Sequence, residues 1–200
     1  MRILFSITYY APYISGLTIC AQRLAENLAQ ENTVSVVALR HQPTLPVTEE
    51  IAKVSVHRAI PLIQLHKGFF SVDWFFRCLR LVRENEVIVI NVPQLEGIVP
   101  AILGRLLGKR VISIYHCEIQ LPAGFMNRCI QTIVELSHRC TLGVSHQIVT
   151  YTNDYRDHMP LLSNYKDKTV AILPPVPVPH LDENFQKKLQ KIVPINAVVI

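Results

Sequence analysis

Arg110-Val111-Ile112-Ser113-Ile114-Tyr115-His116 is the stretch on which the fold turns. It is a short run of β-branched and aromatic residues, interrupted by one serine and closed by a histidine. Near-continuous hydrophobicity, in place of strict alternation, is what a strand covered on both faces of a parallel sheet requires. Just upstream, Ile98, Ile102, Leu103 and Leu106 fall at helical spacing and Gly108 follows them, with Lys109 and Arg110 favourable beside the negative end of a helix dipole. The unit therefore reads as helix, glycine stop and buried strand, with a titratable ring where the strand runs out.

Runs of the same kind recur at 2–8, 33–40, 54–59, 87–92, 147–151 and 169–173. Helical spacing recurs between them, at Leu17, Ala21, Leu24 and Leu28 and at Met126, Cys129, Ile130, Ile133 and Val134. Strand and helix in alternation, with right-handed crossovers, predict a doubly wound parallel α/β sheet of the Rossmann-like type. Residues 41–50, with Pro43 and Pro46, are expected to be a surface connection, and the proline-rich run 173–179 an extended segment that cannot be helical. After a charged helical pattern at 182–191 and Pro194, the run Ala197-Val198-Val199-Ile200 resembles an opening strand. The expected organisation is thus one domain over 1–193, with 194–200 as the hinge and first strand of a further domain.

Composition narrows the classes. Two hundred residues accommodate one α/β domain, and 50% hydrophobic with 18% charged residues excludes a disordered chain. No stretch approaches the roughly 18 apolar residues of a membrane-spanning helix. Ser6, Thr8 and Pro12 break the apolar start too early for a secretory signal. Five cysteines without a CxxC spacing fit a reducing cytoplasm. The net charge of +5 permits attraction to anionic lipid or nucleotide without requiring either, and no nucleic-acid partner is expected.

In doubly wound sheets ligands gather beyond the carboxyl ends of the strands, which singles out the loops 9–16, 91–96, 116–124 and 152–155. In the first, Gly16 lets a ligand approach the backbone, and the helix that follows offers unpaired amides to an anion such as a diphosphate; the competing reading is a glycine that relieves a tight turn. His116 is the strongest single candidate, as a ligand-contacting imidazole or as a structural one. Glu118 is its neighbour, either a partner or an exposed loop acid. The loop 9–16 carries no acid, which argues against a receiver or flavodoxin-like pocket, and neither GxGxxG nor GxxxxGK[ST] occurs. The eight histidines lack metal-ligand spacing, so no metal site is expected, and Ser145 has no glycine after it to form a nucleophile elbow. Residues 69–83 combine aromatics with Arg77, Arg80 and Arg83, which suits either a peripheral contact with an anionic membrane or a crossover helix packed on the sheet.

Taken in order, these segments resemble the amino-terminal domain of GT-B glycosyltransferases of the family 4 type (glycosyl transferase group 1). Met1–Phe5 with Pro12-Tyr13-Ile14-Ser15-Gly16 is similar to the family's first strand and glycine-bearing loop, Leu17 standing where a second glycine is usual. Leu24–Ala29, Val34–Val37 and the strand closing on Asn91-Val92-Pro93 continue the likeness, Asn91 standing where histidines are usual. Leu107–His116 carries it furthest, and Gln147–Thr152 and Lys168–Pro174 complete it, with Pro175-Val176 in place of the usual asparagine-glycine. The resemblance implies a retaining hexosyl transfer from a nucleotide sugar to an acceptor hydroxyl of a glycan, lipid or small molecule, without cofactor or obligatory metal. It implies His116 as the catalytic-site residue beside the transferred sugar, and Ser15, Gly16, Asn91, Gln94, Glu118 and Thr152 as substrate-side residues. Donor-binding groups would come from the missing carboxy-terminal domain, so this stretch alone would be inactive; the expected location is the cytoplasm, with peripheral contact at the inner membrane face. The departures at Leu17 and Asn91 keep a second class open, a non-catalytic α/β module binding a nucleotide or a partner.

Overall fold

β1 (Arg2–Ser6) runs through the interior of an eight-stranded sheet, and the chain winds outward from it in both directions. The computed structural model describes residues 1–65 and 68–175, without side-chain detail for 63–70. In chain order the remaining elements are α1 (Gly16–Leu28), β2 (Thr33–Leu39), β3 (Thr48–Ile51), β4 (Val54–Ala59), β5 (Ile63–Leu65), β6 (Gly68–Phe70), α2 (Val72–Glu84), β7 (Val87–Val92), α3 (Ile98–Leu106), β8 (Arg110–Tyr115), α4 (Phe125–Val144), β9 (Gln147–Thr150), α5 (Asn153–His158), α6 (Pro160–Ser163) and β10 (Thr169–Ala171). The sheet order is β10-β9-β8-β7-β1-β2-β4-β3, parallel throughout except for the outer β3, and β5 and β6 form a separate hairpin. This is an α/β Rossmann-like fold, as the alternation of buried runs and helices leads one to expect.

β1 pairs with both β2 and β7, so the direction of winding reverses beside it. Such a reversal leaves a crevice at the carboxyl ends of the strands, because the following loops diverge to opposite faces. One face of the sheet is covered by α1, whose Ala21, Ala25 and Ala29 meet Ile3, Phe5, Val34 and Val36. The other is covered by α2, α3, α6 and the end of α4, whose Trp74, Cys78, Ala101, Leu162 and Leu142 meet Leu4, Ile88, Ile90 and Val111. Gly108, at φ +68, ends α3: Lys109 N donates to Gly104 O (2.8 Å) and Gly108 N to Arg105 O (3.3 Å). The Lys109 ammonium reaches across to Arg83 O (2.9 Å), so the cation completes the end of α2 as well.

Two expectations need correction. The connection 41–50 ends in strand, because Thr48–Ile51 pairs antiparallel with β4 through a turn at Ala52 and Lys53, both at positive φ. A charged sequence hides this strand: Glu49 forms an ion pair with the fully buried Arg58 of β4, so the edge residue is tied inward. The helix pattern at Met126, Cys129, Ile130 and Ile133 does form a helix, but those side chains face outward, and α4 buries Ser137, His138, Thr141 and Leu142 instead. α2 packs on the sheet. Ser71 caps it, accepting from Trp74 N (3.1 Å), Trp74 is buried, Arg77 pairs with Asp73 (2.7 Å) and Arg80 lies 3.8 Å from Glu84. The expected helix at 182–191, the hinge at Pro194, the strand at 197–200, and His66 and His180 lie outside the described residues.

Candidate functional site at the carboxyl edge of the sheet

Four strands deliver their last residues to one place. β1 ends at Ser6, β7 reaches Asn91, β8 is followed by His116 and β9 by Tyr151. Asn91 is fully buried; its Nδ2 donates to Ser6 O (3.1 Å), which turns Oδ1 towards His116 Nε2 at 2.9 Å. An amide oxygen only accepts, so Nε2 carries the imidazole proton and Nδ1 is left to accept from the Tyr151 hydroxyl. Burial holds the His116 pKa down to about 4, so the ring is neutral at physiological pH. The Tyr151 oxygen also lies 3.3 Å from Cys20 Sγ of α1, closing a chain of contacts from β1 through β7, β8 and β9 to α1.

The loop 9–16 is held from beneath. The Arg58 guanidinium, besides pairing with Glu49, donates to Ala11 O (2.7 Å) and Pro46 O (3.1 Å). Above this anchor Tyr9 stacks on Tyr13 at 4.6 Å between ring centres, and His41 meets both rings edge-on at 5.7 and 5.5 Å. Ser15 then caps α1 in a reciprocal box: its Oγ accepts from Thr18 N (3.2 Å) and Thr18 Oγ1 accepts from Ser15 N (2.7 Å). At the first turn of a helix the amides of Gly16 and Leu17 point out along the axis.

A cleft of about 400 Å³ opens between α1 and the ends of β8 and β9, lined by Gly16, Cys20, Arg23, His116, Cys117 and Tyr151 with Pro174 and Pro175 at its margin. Among the described residues a Cβ on Gly16 would meet nothing within 4 Å, so their packing does not demand glycine there. Among the described residues the cleft is lined by the helix amino terminus at Gly16, by Arg23 and by the neutral imidazole of His116, and by no carboxylate. Chemically it suits an anion bearing hydroxyl groups.

Gly16 and His116 therefore share one cleft, while the other candidates sit around it. Asn91 supports His116 from below. Gln94 is buried and pins the end of β1; with its amide assigned the orientation that satisfies both of its polar atoms, it donates to Ser6 Oγ (3.0 Å) and Ser6 O (3.2 Å) and accepts from Thr8 N (3.3 Å). Ser15 spends its hydroxyl on the cap. Thr152 is exposed beyond Tyr151 and caps α5, accepting from Tyr155 N (3.1 Å). Glu118 is exposed, and its Oε2 accepts from Gln120 (3.3 Å). Tyr151, Cys20 and Arg23 escaped sequence reasoning. The two on α1 carried a usable signal, because residues 16, 20 and 23 stand at i, i+4 and i+7 and so share the face of α1 that begins at Gly16.

No protein-family model and no curated protein sequence matches the chain. Among solved structures, sucrose-phosphate synthase from Thermosynechococcus elongatus superposes with a TM-score of 0.62 at 13% identity, over 94% of this chain and 52% of that one. The chain has a glycosyltransferase-like fold. A second structure of the same enzyme gives a TM-score of 0.52 at 10% identity, over 96% of this chain and 97% of that chain. At such identities the likeness concerns the fold, that of GT-B glycosyltransferases. The chain spans about half the length of the first of these structures.

Proposed function

We propose that this chain is the amino-terminal, acceptor-side half of a retaining glycosyltransferase of the family 4 type, which moves a hexosyl unit from a nucleotide sugar to an acceptor hydroxyl. The observation that carries the proposal is the convergence of Gly16, Arg23, His116 and Tyr151 on one cleft at the carboxyl edge of a glycosyltransferase-like sheet. During transfer the bond from the anomeric carbon to the diphosphate breaks, and negative charge gathers on the leaving diphosphate. The amides opening α1 and the Arg23 side chain that lines the cleft are the positive groups available to that charge. His116, kept neutral by burial, meets a sugar or acceptor hydroxyl only by exchanging the Tyr151 hydroxyl at Nδ1 for it, and does not act as a cationic acid. Residues 1–193 form the acceptor-side domain on this reading, and the donor's nucleotide is gripped by a second domain whose hinge and first strand are 194–200. Closure of the two over the cleft excludes water and so favours transfer over hydrolysis. The reaction takes place in the cytoplasm without a metal or cofactor.

A donor screen on the full-length protein, following release of nucleoside diphosphate, tests this. His116→Ala and Arg23→Ala are each expected to lower turnover by about 10²-fold. Equal turnover in all three proteins removes the cleft from the mechanism. The second reading, a non-catalytic module binding a nucleotide or partner, draws on the engagement of both His116 ring nitrogens within the fold, and predicts binding without turnover.

A further inference from the structure

The first half of α4 presents its apolar stripe to solvent and its polar stripe to the protein. Phe125, Met126, Ile130, Ile133 and Leu136 are 86, 75, 43, 57 and 61% exposed. They follow one another at helical spacing, so they form a continuous band and not scattered surface residues. The inward side is held by polar groups: Gln131 Nε2 donates to Ile119 O (2.8 Å), Gln131 Oε1 accepts from Leu121 N (3.3 Å), and Asn127 Nδ2 donates to Pro122 O (3.0 Å). Isolated exposed apolar side chains are ordinary, whereas a continuous band marks a contact surface.

Two further features identify the partner. The charges beside the band are cationic: Arg128 and Arg139 are exposed, and the one acid of the helix, Glu135, is half-buried and lies 4.0 Å from Arg139. An apolar band flanked by arginines, on a chain of net charge +5, complements an anionic lipid interface, where the side chains enter the acyl boundary and the guanidinium groups remain among the headgroups. The band is also most exposed at the amino-terminal end of the helix. Phe125 and Met126 are its most exposed members, and the loop 117–124 joins them directly to His116.

We propose that the outward face of α4 docks on an anionic lipid bilayer, and that the acceptor hydroxyl is carried on a lipid of that bilayer. The docking stands independently of catalysis, whereas the lipid-borne acceptor rests on the transferase reading. α2 also exposes Val72, Phe75 and Phe76, but its Trp74 is buried and its Arg77 and Arg80 lie beside Asp73 and Glu84.

Co-sedimentation of the full chain with vesicles of phosphatidylcholine alone, or with phosphatidylglycerol added, tests the docking without any measurement of sugar transfer. Binding is expected with the anionic vesicles, at least about tenfold weaker for Met126→Ser/Ile133→Ser and weaker for Arg128→Glu. The unfolding temperature of the serine variant should stay close to that of the wild type, since Met126 and Ile133 are largely exposed. Three results overturn the proposal: no binding to anionic vesicles, binding that the variants leave unchanged, or a lowered unfolding temperature showing that the chain itself covers the band. A dimer by light scattering that the serine substitutions dissociate assigns the band to a second copy instead. If docking holds but lipid and soluble acceptors are glycosylated equally well, the acceptor assignment fails while the transferase reading stands.

Discussion

α1 and α4 both begin beyond the carboxyl ends of strands, cover opposite faces of the sheet and are both amphipathic, yet they are seated in opposite senses. α1 turns Ala21, Ala25 and Ala29 onto the strands and leaves its larger leucines at the margins of the contact. α4 buries Ser137, His138, Thr141 and Leu142 near its end and turns Met126, Ile130 and Ile133 away. An apolar stripe thus identifies a helix and one of its faces without telling what that face meets. Small residues permit close approach to a sheet, and a helix whose larger apolar residues point elsewhere is adapted to a second partner.

Substitutions on the two faces of α4 should separate those roles. The largest effect is expected at Leu142, fully buried against the sheet: Leu142→Ala should cost about 2–5 kcal/mol in a urea unfolding curve. A loss under about 1 kcal/mol there would show that the end of α4 is not the seat of the helix.

Next in size is the response to acid, which compares the cleft with the underside of α4. His116 and His138 are both held down to about 4 by burial, against an ordinary 6.5. Their neutral forms are favoured in the folded state, so between those two values the unfolded chain binds more protons and stability falls as pH falls. The contribution is present above about 6.5 and is exhausted below about 4. Lowering the pH from 7 to 5 should cost roughly 2–4 kcal/mol from the pair, read as a shift in urea midpoint. His116→Gln should remove about half of the slope, and an unchanged slope would mean that the ring is already solvated. The smallest effect belongs to the outward face, where Ile133→Ser should change stability by less than about 0.5 kcal/mol.

Much of the fold was legible because the strands announce themselves. β1, β2, β4, β7, β8, β9 and β10 all fall within the apolar runs, since a strand buried on both faces has few alternatives to β-branched and aromatic residues. β3 was not legible: its Thr48-Glu49-Glu50-Ile51 has a strand's conformation without its composition, and only the burial of Arg58 explains why an acid belongs there. The site divided in the same way. His116 and Gly16 were visible from their positions at a strand end and a helix start, whereas Tyr151 and Arg23 enter the cleft through tertiary placement.

Local pattern alone determined that this chain builds a parallel α/β sheet and where each central strand lies, because period and hydrophobicity are properties of neighbouring residues. Which side chains surround His116, which proton its ring carries, and which way α4 faces were decided only by packing. Those depend on Asn91, Ser6 and Tyr151 meeting across strands far apart in sequence, and on a polar underside that outcompeted an apolar stripe for contact with the protein.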